Sequence, residues 1–586
     1  MKYDTLQEMH YLEASIKEAM RLTSPDPVIM RLCTEETTVA GIRFTPGMNV
    51  DIPLAGIHLD PEYFPEPEKF TPERFLPENK DSIRPFTYMP FGAGPRNCAG
   101  SRLALLQAKA YLACLLRRFR LQVCSETMPL SSVLDSYYKR YGRMYGSYQG
   151  ATPTLVVSDP DILREIMVSK FKNFSDRTEA QRVSSEVWRK SIMNMSGDEW
   201  KKARSVFTPA LTSTRLKTIA LKIKAVADRT ASRVAEAAAQ DKPVNFSKLI
   251  EHASLDTTAA LNYSVDLDSE NDKDHPLLKC VASLFSDTAS WKLIMMFLMP
   301  GVYKVLQPSY PPKSCTDLFK AFVSHLMEER KANNKKEDDF LQVFMDADFE
   351  WEVGADGKKE EGERKGVIKP HAEMTLDEIT AQGIVFFLAG VESVSTTLVL
   401  TAYYLALHPE YQTSVIAEVD KAAGPNGDFT YDSLQEMPCL EACIKEALRL
   451  AASESIILRQ CTEETTVAGI NFKPGMCVDV PSAAIHHDPE YFPEPEKFNP
   501  ERFLPENKDS VKPFTFMPFG NGPRNCVGMR LGMLQVKTTL ACLLRRVKLE
   551  ACDETMKPLK FKPRQLLQVT DGPIILRAVP RDAPSS

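Results

Sequence analysis

The feature that most constrains this chain is that one long stretch of it occurs twice. Residues 3–128 align with 431–556 without a gap at one constant offset, so that Glu18 pairs with Glu446 and Cys98 with Cys526. Roughly 70% of paired positions are identical, far beyond what shared helical or strand patterning produces. Solenoid repeats are short and numerous, whereas this is a single segment duplicated. The identity is uneven. Residues 33–42 recur unchanged as 461–470, yet 23–32 and 451–460 share little besides Ile29/Ile457 and Arg31/Arg459. The first copy runs into unrelated sequence at Pro129. The second continues through 559–577, where Leu566, Leu567, Val569, Ile574, Ile575 and Leu576 read as a closing hairpin around Asp571-Gly572-Pro573.

The 586 residues are enough for several average domains or for one large α-rich enzyme domain with an addition. Lys+Arg 72 against Asp+Glu 78 leaves a net charge of −6, with no basic excess to suit nucleic acid. The 13 cysteines are spread without the tight spacing of a secreted scaffold, so reduced and mostly buried thiols are expected. The chain opens in a polar helical pattern and no secretory signal is expected. One apolar run, 379–407, is long enough to span a bilayer. A carboxylate at its centre, Glu392, would cost roughly 3 kcal/mol facing lipid, so a buried helix is the better reading. That helix opens at a capping box, Thr375 with Glu378, and reaches about 50 Å if it runs to His408. A shorter apolar segment, 291–302, is broken by Pro300; it reads as a surface contact with a bilayer or as part of a buried helix pair. Strands are expected near 145–157 and a charged loop at 354–369.

The most informative stretch is Phe519-Gly520-Asn521-Gly522-Pro523-Arg524-Asn525-Cys526-Val527-Gly528. Three glycines and a proline around one cysteine describe a tight loop whose backbone must approach something flat and bulky. Arg524 places a fixed positive charge beside the sulfur, suited to a carboxylate. The helical pattern that follows would turn its amino end toward the thiol and favour thiolate. Taken alone, the cysteine would read as a structural thiol in a glycine-rich turn.

The whole pattern resembles the haem-binding loop of cytochrome P-450, F-x-x-G-x-R-x-C-x-G, at every fixed position. Glu446-Ala447-Leu448-Arg449 resembles the family's E-x-x-R helix and Pro500-Glu501-Arg502-Phe503 its P-E-R-F meander. The resemblance implies a buried network of Glu446, Arg449 and Arg502, structural rather than catalytic. Trp200 to Arg204 resembles the W-x-x-x-R helix that binds a haem propionate, and one turn lets both side chains point the same way. By the same resemblance Arg524, Arg459 and Arg177 complete the propionate shell, with Phe519, Gly522 and Gly528 shaping the loop and Cys526 as axial ligand. Ala389-Gly390-Val391-Glu392-Ser393 resembles the A-G-x-[DE]-T motif of the distal helix, where an acid and an alcohol deliver protons to iron-bound dioxygen. Ser393 stands where Thr is usual; it keeps the hydroxyl but loses the methyl that restrains χ1, which implies looser proton delivery. A second departure is Ala452, where Pro is common. Cys439 and Cys443 lie one turn apart but read as core thiols.

The expected fold is therefore mainly α with small β-sheets, a cytochrome P-450 domain over 129–586 preceded by a partial second copy over 1–128. Wording around Gly197–Trp200 and 368–390 is closest to the drug-metabolising and thromboxane-synthase-like branch. The resemblance implies one haem b per chain and insertion of one oxygen atom into a small apolar substrate, a xenobiotic, steroid or lipid. Electrons would come from NADPH through a separate flavoprotein, NADPH–cytochrome P-450 reductase, docking on the Cys526 side, with cytochrome b5 as a further donor. Two other readings remain: a reductase-independent lipid-peroxide isomerase of the same fold, and a non-functional fusion that only binds haem. No transmembrane segment is expected, and the resemblance places the chain on the cytoplasmic face of the endoplasmic reticulum membrane with at most peripheral contact. The divergent segment Ala452, Ser453, Glu454, Ser455, Ile456 and Ile457 leads toward the substrate pocket. The first copy retains Glu18, Arg21, Arg74, Arg96 and Cys98 but lacks a distal helix, so it is expected not to hold haem alone.

Overall fold

The apolar run read from the sequence folds into one 32-residue helix, Leu376–Leu407, around which the larger part of the chain is built. The computed structural model describes residues 3–24, 28–117, 129–149, 152–177, 186–272, 275, 277–279, 281, 284, 311–346, 374–424, 427–451, 454–562 and 568–581. The 354–369 loop, the 291–302 segment, Ala452, Ser453, Leu566 and Leu567 lie outside the described residues. Two compact units divide the chain, Met1–Ser125 and Glu126–Ser586.

In the first unit, helix α1 (His10–Leu22) buries Ala14, Ile16, Glu18 and Arg21 on one face. Strand β1 (Ile29–Leu32) pairs antiparallel with β4 (Asn49–Ile52), and β2 (Thr37–Val39) pairs with β3 (Ile42–Phe44). Helix α2 (Ser101–Leu116) closes the unit. Its core is small: Ala14, Phe64 and Phe75 form one cluster and Ile29, Leu54 and Met89 another.

The second unit begins with α3 (Leu130–Tyr141) and a hairpin of β5 (Met144–Gln149) and β6 (Thr152–Val157). Helices α4 (Gly197–Ala210) and α5 (Ser213–Ala239), the short strand β7 (Val244–Asn245) and helices α6 (Phe246–Tyr263) and α7 (Lys313–Ala332) precede the long helix, α8. After it come α9 (Pro409–Ala422), α10 (Pro438–Leu450), strands β8 (Ile457–Gln460) to β11 (Cys477–Val480) and helix α11 (Met529–Arg546). β6 lies parallel to β11, whose other edge takes β8 antiparallel, giving a four-stranded sheet. The side chains of α5, α6, α8, α10 and α11 share one apolar core.

Local chemistry accounts for the long helix. Thr375 and Glu378 form the expected capping box: the Glu378 amide donates to Thr375 Oγ1 at 3.3 Å and the Thr375 amide to Glu378 Oε2 at 2.8 Å. Among the described residues α8 is the one helix long and apolar enough to cross a membrane, and 61% of its apolar window is buried inside the structure. Neighbouring helices thus take up most of the surface that lipid would otherwise cover.

Two expectations are corrected. The closing segment pairs differently: Phe561 bridges Thr570 and the Lys562 amide donates to Val569 O at 2.8 Å, so 569–570 pair back onto 561–562 and not across 571–573. Ile575–Pro580 instead pairs with Val547–Ala551 and with Val244–Asn245, because alternate buried residues Ile574, Leu576 and Ala578 complete the core beneath α5 and α6. The thiols are not all reduced either. Cys315, at the start of α7, is disulfide-bonded, while ten other described cysteines are free.

Gly383 of α8 marks where a second helix comes closest. A Cβ there would lie 2.1 Å from Tyr263 Oη, a buried hydroxyl with no hydrogen-bond partner among the described residues. Gly383→Ala is expected to cost about 1–3 kcal/mol by overpacking. Tyr263→Phe removes the orphaned hydroxyl and is expected to stabilise by about 1 kcal/mol. Urea titration of the two variants and their double checks both signs.

Candidate functional site

The loop before α11 is shaped by its own backbone. The Cys526 amide donates to Phe519 O at 2.8 Å and the Asn525 amide to Gly522 O at 3.0 Å. Gly520 and Gly522 adopt φ of +68° and +71°, where a side chain would be strained. At Gly522 space is decisive as well, since a Cβ would sit 2.1 Å from the Met167 carbonyl oxygen. Met167 lies in a single π-helical turn, Glu165–Ser169, so the loop is pressed against a widened helix end.

Cys526 is surface-accessible, yet its sulfur is wrapped by protein closely enough that desolvation raises its pKa. The Gly528 amide and the charges of Arg204 and Arg177 pull the pKa down, as the helix-end reading expects, but burial outweighs them.

Four guanidinium groups gather beside this loop. Arg524 donates to Ser175 O at 2.8 Å and Met195 O at 2.7 Å, and its guanidinium carbon lies 4.2 Å from the centre of the Trp200 ring. Arg204, one turn on in α4, donates to Asn525 O at 2.9 Å and Asn525 Oδ1 at 2.8 Å. Trp200 and Arg204 thus reach the same loop, as their spacing predicts. Arg459 of β8 is almost fully buried; it donates to Leu458 O at 2.9 Å, while its Nε has no partner among the described residues. Burial, with the like charge of Arg177 second and Glu454 opposing, lowers its pKa to about 10. A desolvated, under-satisfied guanidinium beside another cation calls for an anion.

On α8, Ala389 is exposed while Val385, Val391 and Val394 around it are buried, so this stripe also faces open space. Ser393 Oγ donates to Ala389 O at 2.5 Å. A Cβ on Gly390 would meet Thr258 Oγ1 of α6 at 3.4 Å, which sets how closely α6 approaches. Burial raises the Glu392 carboxyl pKa, Glu251 adds to the rise, and Lys562 opposes it. Of the pocket candidates, Glu454 is exposed and Ile456 half-buried. Ser455 and Ile457 are buried, the Ser455 carbonyl accepting from the Ala483 amide at 3.2 Å.

Beneath the site, Arg449 makes two 2.8 Å bonds to Glu446 and donates to His486 O at 2.8 Å; Arg502 Nε lies 3.5 Å from Glu446. The Asn499 amide donates to Glu446 Oε1 at 2.9 Å. The first unit repeats this: Arg21 binds Glu18 twice at 2.8 Å and His58 O at 2.7 Å, and Arg74 Nε lies 3.6 Å from Glu18. Its loop differs. A Cβ on Gly94 would meet nothing within 4 Å, and Arg96 and Cys98 are exposed.

Comparison with known proteins agrees with this geometry. The family model described as Cytochrome P450 matches residues 1–133 and again 125–577. The chain belongs to the cytochrome P450 family. It is 34% identical to mouse cytochrome P450 3A11 over 452 residues, 76% of this chain and 86% of that protein. It is 33% identical to golden hamster lithocholate 6-beta-hydroxylase over 456 residues, 77% and 87% of the two chains. A P450 of this kind is an oxidoreductase that incorporates molecular oxygen, with haem b as cofactor and electrons drawn from NADPH through a reductase. The residues present fit haem. Cys526 carries an accessible but desolvated sulfur, and the buried Arg459 guanidinium keeps an Nε with no partner among the described residues, which a propionate would supply.

Sequence reasoning missed Asp176, whose carboxylate lies 3.8 Å from Arg524. Its adjacency to Arg177 is the one signal that pointed there.

Replacing Glu446 by Gln would leave Arg449 and Arg502 buried without their carboxylate. Expected is a loss of about 3–5 kcal/mol of stability in the second unit. Glu18→Gln should leave the haem content per chain unchanged, and pairing denaturant titration with haem content separates the two copies.

Proposed function

We propose that residues 129–586 are the working monooxygenase, with Cys526 as the axial thiolate and Arg524, Arg459, Arg177, Trp200 and Arg204 holding the propionates. The observation that carries this is Cys526 itself: its amide is held by the Phe519 carbonyl, and its accessible but desolvated sulfur accepts from the Gly528 amide. When bound, haem supplies the activation of dioxygen, the electron-rich thiolate favouring O–O cleavage. The protein's own groups bind, orient and move protons. Glu392 holds its proton to higher pH than an ordinary glutamate, which suits a donor, and Ser393 sits one residue on with its hydroxyl bound back to Ala389. That pair favours oxygen insertion over the lipid-peroxide isomerase reading, which needs no proton delivery.

The substrate class is small and apolar, and the relative named lithocholate 6-beta-hydroxylase supports a steroid-sized one. NADPH–cytochrome P-450 reductase is the electron donor, with cytochrome b5 as an auxiliary, at the endoplasmic reticulum surface. α8 is a core helix, not a membrane span, because most of its apolar window is buried. The first unit holds no haem of its own, a reading supported by its loop: Arg96 is exposed where Arg524 is buried, and a Cβ on Gly94 would meet nothing within 4 Å where one on Gly522 meets Met167.

Haem titration of the full chain is expected to give one haem per chain and the long-wavelength carbon-monoxide band of a thiolate-ligated ferrous haem. Cys526→Ser should abolish that band and substrate oxidation, whereas Cys98→Ser should leave both. Two haems per chain, or a band surviving Cys526→Ser, would overturn the assignment.

Glu392→Gln is expected to lower product formation by about 10²-fold and raise the peroxide released. In the same assay Ser393→Thr should lower peroxide per product. The folded pKa of Glu392 lies above its unfolded value, so its contribution to stability is full at acid pH and is lost as pH rises through the folded pKa. Glu392→Gln should therefore stabilise relative to wild type at neutral pH, and the gain should fade below about pH 4.

A further inference from the structure

The short segment 174–177 touches every element that carries an edge arginine. Phe174 packs edge-on against Phe472 with ring centres 5.2 Å apart. The Ser175 carbonyl accepts from Arg524 at 2.8 Å. Asp176 forms an antiparallel bridge to Gln460, whose amide donates to Asp176 O at 2.8 Å, so the segment adds a partner to the strand bearing Arg459. The Asp176 carboxylate then reaches the other way. Its Oδ1 accepts from the amide of Gly197, first residue of α4, at 3.2 Å and from Ser175 Oγ at 3.2 Å. The same oxygen lies 3.8 Å from Arg524 Nη2, with both side chains largely buried.

One residue thus links three elements: its carbonyl holds the strand that presents Arg459, and its carboxylate joins the helix that presents Trp200 and Arg204 to the loop that presents Arg524 and Cys526. Four cations and a partly opposing Glu454 surround this edge. A fixed negative charge here does two things. It holds Arg524 over the Trp200 ring before any anion arrives, and it opposes the cations in the field at the ring's edge.

We propose that Asp176 is a positioning residue for the haem: it sets Arg524 in place and lowers the iron's reduction potential. This rests on the reading above in which Arg524 faces a propionate. The discriminating variant is Asp176→Asn in the full-length holoprotein, because the amide oxygen can still accept from Gly197 and Ser175 while the charge is gone. Removing a negative charge disfavours the more positive, ferric state, so the midpoint potential is expected to move in the positive direction with the thiolate carbon-monoxide band intact. Asp176→Glu should bring the potential back toward wild type. In an Arg524→Gln background the Asp176→Asn shift should be smaller, because the part that acts through the position of Arg524 is gone while the direct effect of the charge remains. Asp176→Ser is the second neutral variant should the asparagine form load poorly. A loaded Asp176→Asn protein with unchanged potential and only lower thermal stability would overturn the assignment, as would a shift undiminished by Arg524→Gln. A wild type that takes up no haem would overturn this assignment together with the functional reading beneath it.

Discussion

The carboxylate of Glu446, buried between Arg449 and Arg502, is the interaction on which the rest of the second unit depends. Each of its oxygens is used: two bonds from Arg449, one from the Asn499 amide, and the longer-range charge of Arg502. Desolvating three charges is costly, and the arrangement survives only because the remaining guanidinium hydrogens also find carbonyls, those of His486, Lys497, Pro493 and Glu494. These bonds tie α10 to the meander at Pro500–Phe503 and to the turn at His486. His486 in turn accepts from the Met517 amide at 3.0 Å, just ahead of the cysteine loop. Burial drives the His486 pKa down to about 3, so this acceptor stays neutral and available at physiological pH.

The duplication supplies an internal comparison that few chains offer. Nearly the same residues build the ion triad in both units, with distances that agree within a tenth of an ångström. Residues that face the rest of the P450 body behave differently. Leu116 is 49% exposed whereas its counterpart Leu544 is fully buried, and Val39 is 58% exposed against 1% for Val467. The glycine that must be glycine at 522, because Met167 lies behind it, meets nothing at 94. Local sequence therefore carries the triad and the loop's backbone turns, whereas a cofactor pocket needs the second wall that only the longer unit has.

Much of the site was legible because its motifs constrain backbone and charge locally. The Thr375/Glu378 cap, the E-x-x-R pair three residues apart and the left-handed glycines of the loop all follow from short-range geometry. Asp176 was not legible. Its role arises from a strand-like pairing with Gln460 and a contact with Arg524, residues separated from it by most of the chain. The closing hairpin was misplaced for a related reason. The Asp571-Gly572-Pro573 turn signal was strong locally, but Ile575–Pro580 takes its ladder partners from two distant strands.

By itself the sequence determined the duplicated organisation, the helical class and the cysteine loop with its flanking arginine, because identity, periodicity and motif spacing are properties of neighbouring residues. Only the tertiary structure decided which of the two cysteine loops is enclosed, that Ser455 and Ile457 are buried, that Cys315 is bonded and that Asp176 joins three elements. Those outcomes depend on desolvation and on contacts between segments far apart in the chain, and no local pattern encodes how much water a side chain will lose.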